Sequence, residues 1–135
     1  MLNYKLNRIR LIVLEVKRLE SLSNQYNQSR DYSLKDQYDK ELDECKKERS
    51  KLTQENLLKD IDRLSEEEKE MAYLYFYKGY SWIMAYREVF IGTQHGDKVY
   101  SDISGEKEAT ECATLQKHIT RSIQQFYPYG KTYQN

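Results

Sequence analysis

Residues 64–90 read LSEEEKEMAYLYFYKGYSWIMAYREVF and carry the clearest structural signal in this chain. Ser65 is followed three residues later by Glu68, a capping box that marks the start of a helix. Gly79 tolerates the left-handed conformation in which many helices end, and Ser81 can cap a second helix directly after it. The stretch therefore predicts two short helices joined by a tight glycine turn, which is the front half of a helix-turn-helix.

Two longer helical patterns precede this stretch. The first covers residues 2–28, where apolar side chains recur at spacings of three and four, as on one face of an α-helix. A polar stretch at 24–33 follows, and a second helix is expected at about 34–58. The pair predicts a coiled-coil-like hairpin with a loop of about ten residues. Such a hairpin buries little by itself, so we expect it to pack against the C-terminal part or against a second copy of the chain. The apolar positions of the first helix are Leu6, Ile9, Val13 and Val16.

A third region follows the glycine turn. Residues 91–105 contain three glycines and no apolar period, which is typical of a long loop. A last helix is expected at about 106–127, where Pro128 stops it. Its apolar stripe consists of Cys112, Leu115, Ile119, Ile123 and Phe126.

Together these patterns predict an all-α fold. A long N-terminal helical hairpin at 1–60 is followed by a helix-turn-helix-like C-terminal bundle at 61–128, and 129–135 form a tail. The single proline among 135 residues leaves long stretches free for helix. We find no internal repeat and no low-complexity segment.

The charge of the chain limits the kinds of partner that it can bind. The formal net charge is zero, and it divides into +4 for residues 1–30, −2 for 31–64, −3 for 65–104 and +1 for 105–135. A broad basic surface, which dominates non-specific affinity for DNA, is therefore not expected. Any contact with nucleic acid must come from a local cluster of bases or from a dimer that doubles it.

The residue types that catalysis and metal binding require are not grouped along the chain. His95 and His118 lack cysteine or acidic partners at the spacing of metal ligands. Cys45 and Cys112 lack paired spacing, so we interpret both as reduced thiols. We expect no enzyme activity, no metal and no cofactor. No apolar run approaches the roughly 20 residues of a membrane span, and no signal peptide is recognisable, so we expect a cytoplasmic protein that does not contact membranes.

Polar residues of the last helix are the candidate binding residues. Gln, Thr, Lys and Arg are the side-chain types that contact base edges and phosphates in DNA. An ordinary solvated face is the competing interpretation, and Glu106, Glu108 and Glu111 at the front of the same helix would repel phosphate. The position of this helix, next after the helix–turn–helix opening, favours DNA recognition. The candidates are Gln116, Lys117, Thr120, Arg121 and Gln124, with Lys78, Lys98 and Lys107 as further phosphate contacts.

Aromatic residues crowd around the glycine turn. We interpret them as half-buried rings whose hydroxyls reach water, and the alternative is an aromatic surface for a partner. They are Tyr73, Tyr75, Tyr77, Tyr80 and Tyr86.

This order of patterns resembles the small phage transcriptional regulators of the RinA/ArpU type, whose C-terminal part is similar to the DNA-binding region 4 of sigma factors. The resemblance lies in DIDRL at 60–64, YFYKGYSW at 75–82 and IMA at 83–85. It implies DNA binding by the last helix and a role in the gene control of a phage or mobile element. The long segment at 91–105 departs from that family, where only a few residues precede the recognition helix.

Two functions are therefore expected. The first is a DNA-binding transcription regulator that recognises double-stranded DNA with its last helix and forms a homodimer through the hairpin. The alternative is a protein-interaction module or inhibitor, built on the same scaffold, that binds a host or phage protein.

Overall fold

The structure is a computed structural model that describes residues 4–91 and 105–126. Within these residues every regular element is helical, which confirms the predicted all-α class and the long N-terminal helical pair. The predicted tail and most of the predicted loop at 91–105 lie outside the described residues. The elements are α1 (Tyr4–Gln28), α2 (Tyr32–Leu52), α3 (Glu66–Tyr77), α4 (Trp82–Tyr86), which continues as a π-helical turn over Arg87–Ile91, and α5 (Gly105–Phe126).

The connection between α1 and α2 is shorter than the sequence predicts. Helix α1 runs to Gln28, the predicted end of the first helical pattern, and α2 begins at Tyr32, so half of the polar stretch at 24–33 belongs to α1 and its last two residues belong to α2. The reason is that the last two turns of α1 make contacts across the hairpin. Tyr26 stacks on Tyr38 with ring centroids 5.5 Å apart, and the Ser23 hydroxyl donates a hydrogen bond to Asp39.

Helix α2 ends at Leu52 rather than near residue 58. The backbone N–H and the hydroxyl of Thr53 both donate to the Arg49 carbonyl, at 2.9 and 2.7 Å, and this closes the helix. The apolar residues beyond it reach the core from a series of hydrogen-bonded turns. They are Leu58, Ile61 and Leu64, all of them buried.

The caps of α3 and α4 are formed as predicted. The Ser65 hydroxyl accepts from the Glu68 N–H at 3.1 Å, while the Glu68 carboxylate accepts from the Ser65 N–H at 2.9 Å. Ser81 accepts from the Met84 N–H at 3.3 Å at the start of α4. Both helices therefore begin where the sequence places them.

Helix α3 lies at the centre of the molecule and contacts α1, α4, the π-helical turn and α5. Its Phe76 is fully buried in one cluster with Leu6 and Ile9 of α1 and with Ile119 and Ile123 of α5. Helix α2 has no buried residue and packs mainly on α1. One core thus joins the hairpin to the C-terminal helices and fixes the position of α5.

The described residues lack two kinds of site. Within 4–91 and 105–126, no helix has the length and apolar character needed to cross a membrane, and no three His, Cys, Asp or Glu side chains are arranged to hold a metal ion. Cys45 and Cys112 are free thiols. Burial raises the pKa of both, which disfavours the reactive thiolate.

Candidate nucleic-acid interface

The candidate residues of α5 form two adjacent rows along the outward side and flank of the helix. The first row holds Lys117 and Arg121, which are exposed, and the second holds Gln116, Thr120 and Gln124, which are half-buried. Since residues four apart on a helix are neighbours, each row is continuous. The structure thus brings these five predicted residues together, and we call them the α5 face.

The other side of α5 anchors it to the rest of the molecule. Ile119 and Ile123 are completely buried in the core, and Cys112 is 5% exposed. Thr120 is held locally, because its hydroxyl donates to the Lys117 carbonyl at 3.1 Å. The α5 face is therefore carried on a helix whose orientation the core determines.

Two acids near the start of α5, Glu108 and Glu111, are bound by side chains of α4 and of the π-helical turn. Glu108 is 3% exposed and accepts from Arg87 Nε at 2.7 Å. Glu111 accepts from the Tyr86 hydroxyl at 2.5 Å. Nine residues separate Glu108 from Lys117, and at 3.6 residues per turn this places them on opposite sides of the helix. The Glu108 carboxylate therefore does not face a phosphate that approaches Lys117, and the Glu111 carboxylate is bound by the Tyr86 hydroxyl.

The remaining candidate lysines are placed differently. Lys78 ends α3, and its carbonyl accepts from Lys17 Nζ of α1 at 2.6 Å. Lys107 is exposed in the first turn of α5, about 15 Å along the axis from Lys117. Lys98 lies outside the described residues. The α5 face therefore consists of the five central candidates, with Lys107 beyond one end of it.

Helix α1 holds the glycine turn with basic side chains that the sequence did not single out. Arg10 Nη1 donates to the carbonyls of Tyr75 at 2.5 Å and Tyr80 at 2.8 Å. The Arg10 guanidinium also lies 3.7 Å from the centre of the Tyr75 ring, and this ring stacks on Trp82 at 3.9 Å. Together with Lys17, Arg10 supplies positive charge to the carbonyl end of α3, where the helix dipole favours it.

One signal for this arrangement was present in the sequence. Helix α3 has no basic residue in its last turn, so its terminal carbonyls need donors from elsewhere. Two other bases of α1 are paired with acids at the surface, which offsets their positive charge. These pairs are Arg8–Glu48 and Arg18–Glu15, each at 2.5 Å.

A second set of polar contacts ties α5 to the turns before α3. His118 Nε2 lies 3.2 Å from the Arg63 carbonyl and 3.4 Å from the Glu68 carboxylate. Arg63 Nη1 donates to Gln125 Oε1. Sequence patterns predict only a capping role for Glu68 and no role for His118, because these contacts join segments that are far apart in the chain.

Comparison with known proteins adds no identification. The chain matches no family model, no curated protein and no solved structure. A function must therefore be inferred from the α5 face itself.

The tyrosines around the glycine turn divide into two groups. Tyr77 and Tyr86 are buried rather than half-buried. The Tyr77 hydroxyl donates to the Glu55 carbonyl at 2.8 Å and accepts from the Leu57 N–H at 3.0 Å, and burial raises its pKa. These two rings are structural. The half-buried rings are those of Tyr73, Tyr75 and Tyr80.

Proposed function

We propose that this chain binds double-stranded DNA through the α5 face and acts as a transcription regulator of a phage or mobile element. The observation that carries the proposal is the row of exposed Lys117 and Arg121 beside a row of Gln and Thr side chains on one helix. Lysine and arginine contacts with phosphate position a protein on the duplex, whereas Gln and Thr contacts with base edges give sequence preference.

Two further features support this proposal. The core fixes α5 in place through Ile119 and Ile123, so little freedom is lost when the face binds. The resemblance to the RinA/ArpU-type regulators suggests the same helix and a phage or mobile-element context. This function requires a cytoplasmic location.

The small number of cations on the α5 face makes a homodimer part of the proposal. Each phosphate contact contributes about −0.9 to the slope of log K against log salt concentration. Two contacts per chain give a shallow slope, and a dimer that presents two α5 faces doubles it. Helix α2 buries no residue of its own, which leaves the hairpin of α1 and α2 as the surface for a second copy.

The test is the salt dependence of binding to a DNA duplex. Replacing Lys117→Ala together with Arg121→Ala is expected to weaken binding and to reduce the magnitude of the salt slope by about 2 per chain, since two counterions fewer are released. Fluorescence anisotropy of a labelled duplex at a series of salt concentrations measures both quantities.

A matched control removes the same charge from the hairpin. Arg18 and Lys47 are exposed bases that pair with acids on their own helices. Where size-exclusion chromatography shows that the variant keeps the oligomeric state of the wild type, Arg18→Ala with Lys47→Ala should leave the salt slope unchanged. A wild-type slope for the α5 variant, or an equal loss for the control, would exclude the α5 face as the binding surface.

The alternative of a protein-interaction module also has a specific observation in its favour. Leu11 and Leu14 lie three residues apart on α1 and are 68% and 36% exposed. Apolar side chains exposed together can mark a contact with another protein. In this alternative a host or phage protein covers these leucines, and substitutions on the α5 face leave that binding unchanged.

A further inference from the structure

We propose that Arg63 forms an additional contact with a DNA backbone phosphate at one end of the α5 face. This inference rests on the proposed function, because it names a further residue of the same interface. Arg63 lies in the turns between α2 and α3, and nothing in the periodicity of the sequence connects it with α5.

The first observation is the continuity of the surface. Lys117, Arg121 and Gln125 follow one another at intervals of four residues, so they form one ridge on α5. All three are exposed. The ridge is about 12 Å long, and Gln125 at its end accepts a hydrogen bond from Arg63 Nη1. The guanidinium of Arg63 thus extends the row of cations beyond the helix itself.

The second observation is that the backbone of Arg63 is also attached to α5. His118 Nε2 lies 3.2 Å from the Arg63 carbonyl. The residue is therefore tied to α5 at both its main chain and its side chain. Because duplex DNA carries one negative charge per about 1.7 Å of axis, a ridge of this length faces several phosphates.

The third observation is the cleft beside the guanidinium. A cavity of about 170 Å³ is lined by side chains that include Arg63, Gln125 and Ser122. Guanidinium, amide and hydroxyl groups all carry donors that suit phosphate oxygens. The guanidinium has five N–H groups in a planar fork, so donation to Gln125 uses only part of its capacity.

An acidic residue beside Arg63 allows a second test, in which the substitution is expected to strengthen binding rather than weaken it. Asp62 lines the same cavity and is exposed. Its carboxylate would repel a phosphate held by Arg63. Removing this charge is expected to strengthen binding if a phosphate lies beside Arg63, and the loss caused by Arg63→Ala tests separately whether the guanidinium makes the contact.

The experiment uses the full chain and a labelled duplex of random sequence. Arg63→Ala is expected to weaken binding roughly five- to tenfold near 0.1 M salt and to reduce the salt slope by about 1, because one counterion fewer is released. Arg63→Lys keeps the slope but binds less tightly, since an ammonium lacks the planar fork. Asp62→Asn is expected to bind more tightly than the wild type.

Comparing the variants shows whether the Arg63 contact alone is wrong or whether DNA binding by the α5 face is wrong as well. Arg18→Ala, which removes an exposed arginine from α1, should not change the slope when size-exclusion chromatography shows the oligomeric state of the wild type. If Lys117→Ala with Arg121→Ala lowers the slope while Arg63→Ala and Asp62→Asn both leave binding at the wild-type level, the Arg63 inference is wrong and the proposed function stands. If the double variant on α5 also binds like the wild type, both are wrong. Thermal unfolding followed by circular dichroism checks that each variant is folded.

Discussion

Gly79 is the residue on which the α3–α4 turn depends most directly. It has a φ of +77°, a conformation that side chains with a Cβ adopt only at a cost. A Cβ at this position would also lie 3.2 Å from Val13 Cγ1, Leu14 Cδ2 and Lys17 Nζ. Helix α1 therefore crosses the turn so closely that glycine is required both for the backbone conformation and for the space.

Replacing Gly79→Ala is expected to lower the free energy of unfolding by about 2 kcal/mol, because the left-handed conformation costs about 1–2 kcal/mol and the contacts with α1 add to it. Urea denaturation measures this loss. The control is Arg30, a non-glycine residue whose φ is also positive, at 62°. Glycine adopts this conformation without strain, so Arg30→Gly should leave the free energy of unfolding equal or higher. An unchanged urea midpoint for Gly79→Ala would contradict the role given to this turn.

Individual residues also show which contacts a sequence can predict. Ser65, Gly79 and Ser81 were predicted correctly because each acts on the backbone within a few positions of itself. Arg10 was not predicted, because the two carbonyls that it binds are 65 and 70 residues away in the chain. Such a contact follows from the packing of α1 across α3, which local patterns do not determine.

At the scale of elements, the orientation of α5 depends on its polar ties as well as on its apolar stripe. The predicted stripe is buried at Cys112, Ile119 and Ile123, whereas Phe126 is 41% exposed. Glu108, a charged residue, takes a buried position in this row because Arg87 of the π-helical turn pairs with it at 2.7 Å. The sequence indicated a repulsive acid at a place where the fold buries the carboxylate and pairs it with a partly exposed arginine.

Breaking this pair should destabilise the attachment of α5. Arg87→Met leaves the Glu108 carboxylate buried beside an apolar side chain. We expect a loss of about 2 kcal/mol, less than the 3–5 kcal/mol of a fully buried pair, because the Arg87 side chain is 42% exposed. Urea denaturation of both single variants and of the double variant with Glu108→Gln gives the coupling energy. Strictly additive losses would show that the two residues are not coupled.

The loop of the hairpin and the end of α2 illustrate why some boundaries were less predictable. Helix α1 ends at Gln28 as its pattern predicts, but the residues from Asn24 onward belong to the helix rather than to the loop, because the hairpin partner supplies contacts such as Tyr38. Leu58 and Ile61 keep helical spacing but enter the core from turns. Spacing alone does not distinguish a helix from a series of turns that buries the same side chains.

At the scale of the whole molecule, the distribution of charge accounts for the expected binding behaviour. The bases of the first 30 residues are largely engaged with carbonyls and acids of neighbouring helices, as Arg10 and Arg8 show. With a formal net charge of zero, long-range attraction to DNA is weak. The proposed binding to DNA therefore relies on the local cations of the α5 face, and the number of these cations sets its salt dependence.

The α5 face proposed to bind DNA and the leucines of α1 proposed to bind a protein can be distinguished by where a ligand perturbs the chain. The α5 face and the exposed leucines of α1 lie on different helices, and α5 contacts α3 and α4. A ligand at one surface is therefore expected to leave the amide environments of the other largely unchanged.

The most direct measurement is an NMR titration of the isotopically labelled chain with a DNA duplex. The proposal predicts that the largest amide shift changes fall on α5, at Lys117, Thr120 and Arg121, and extend to Arg63, while α2 stays unchanged. Absence of any shift, or changes concentrated around Leu11 on α1, would contradict DNA binding by the α5 face.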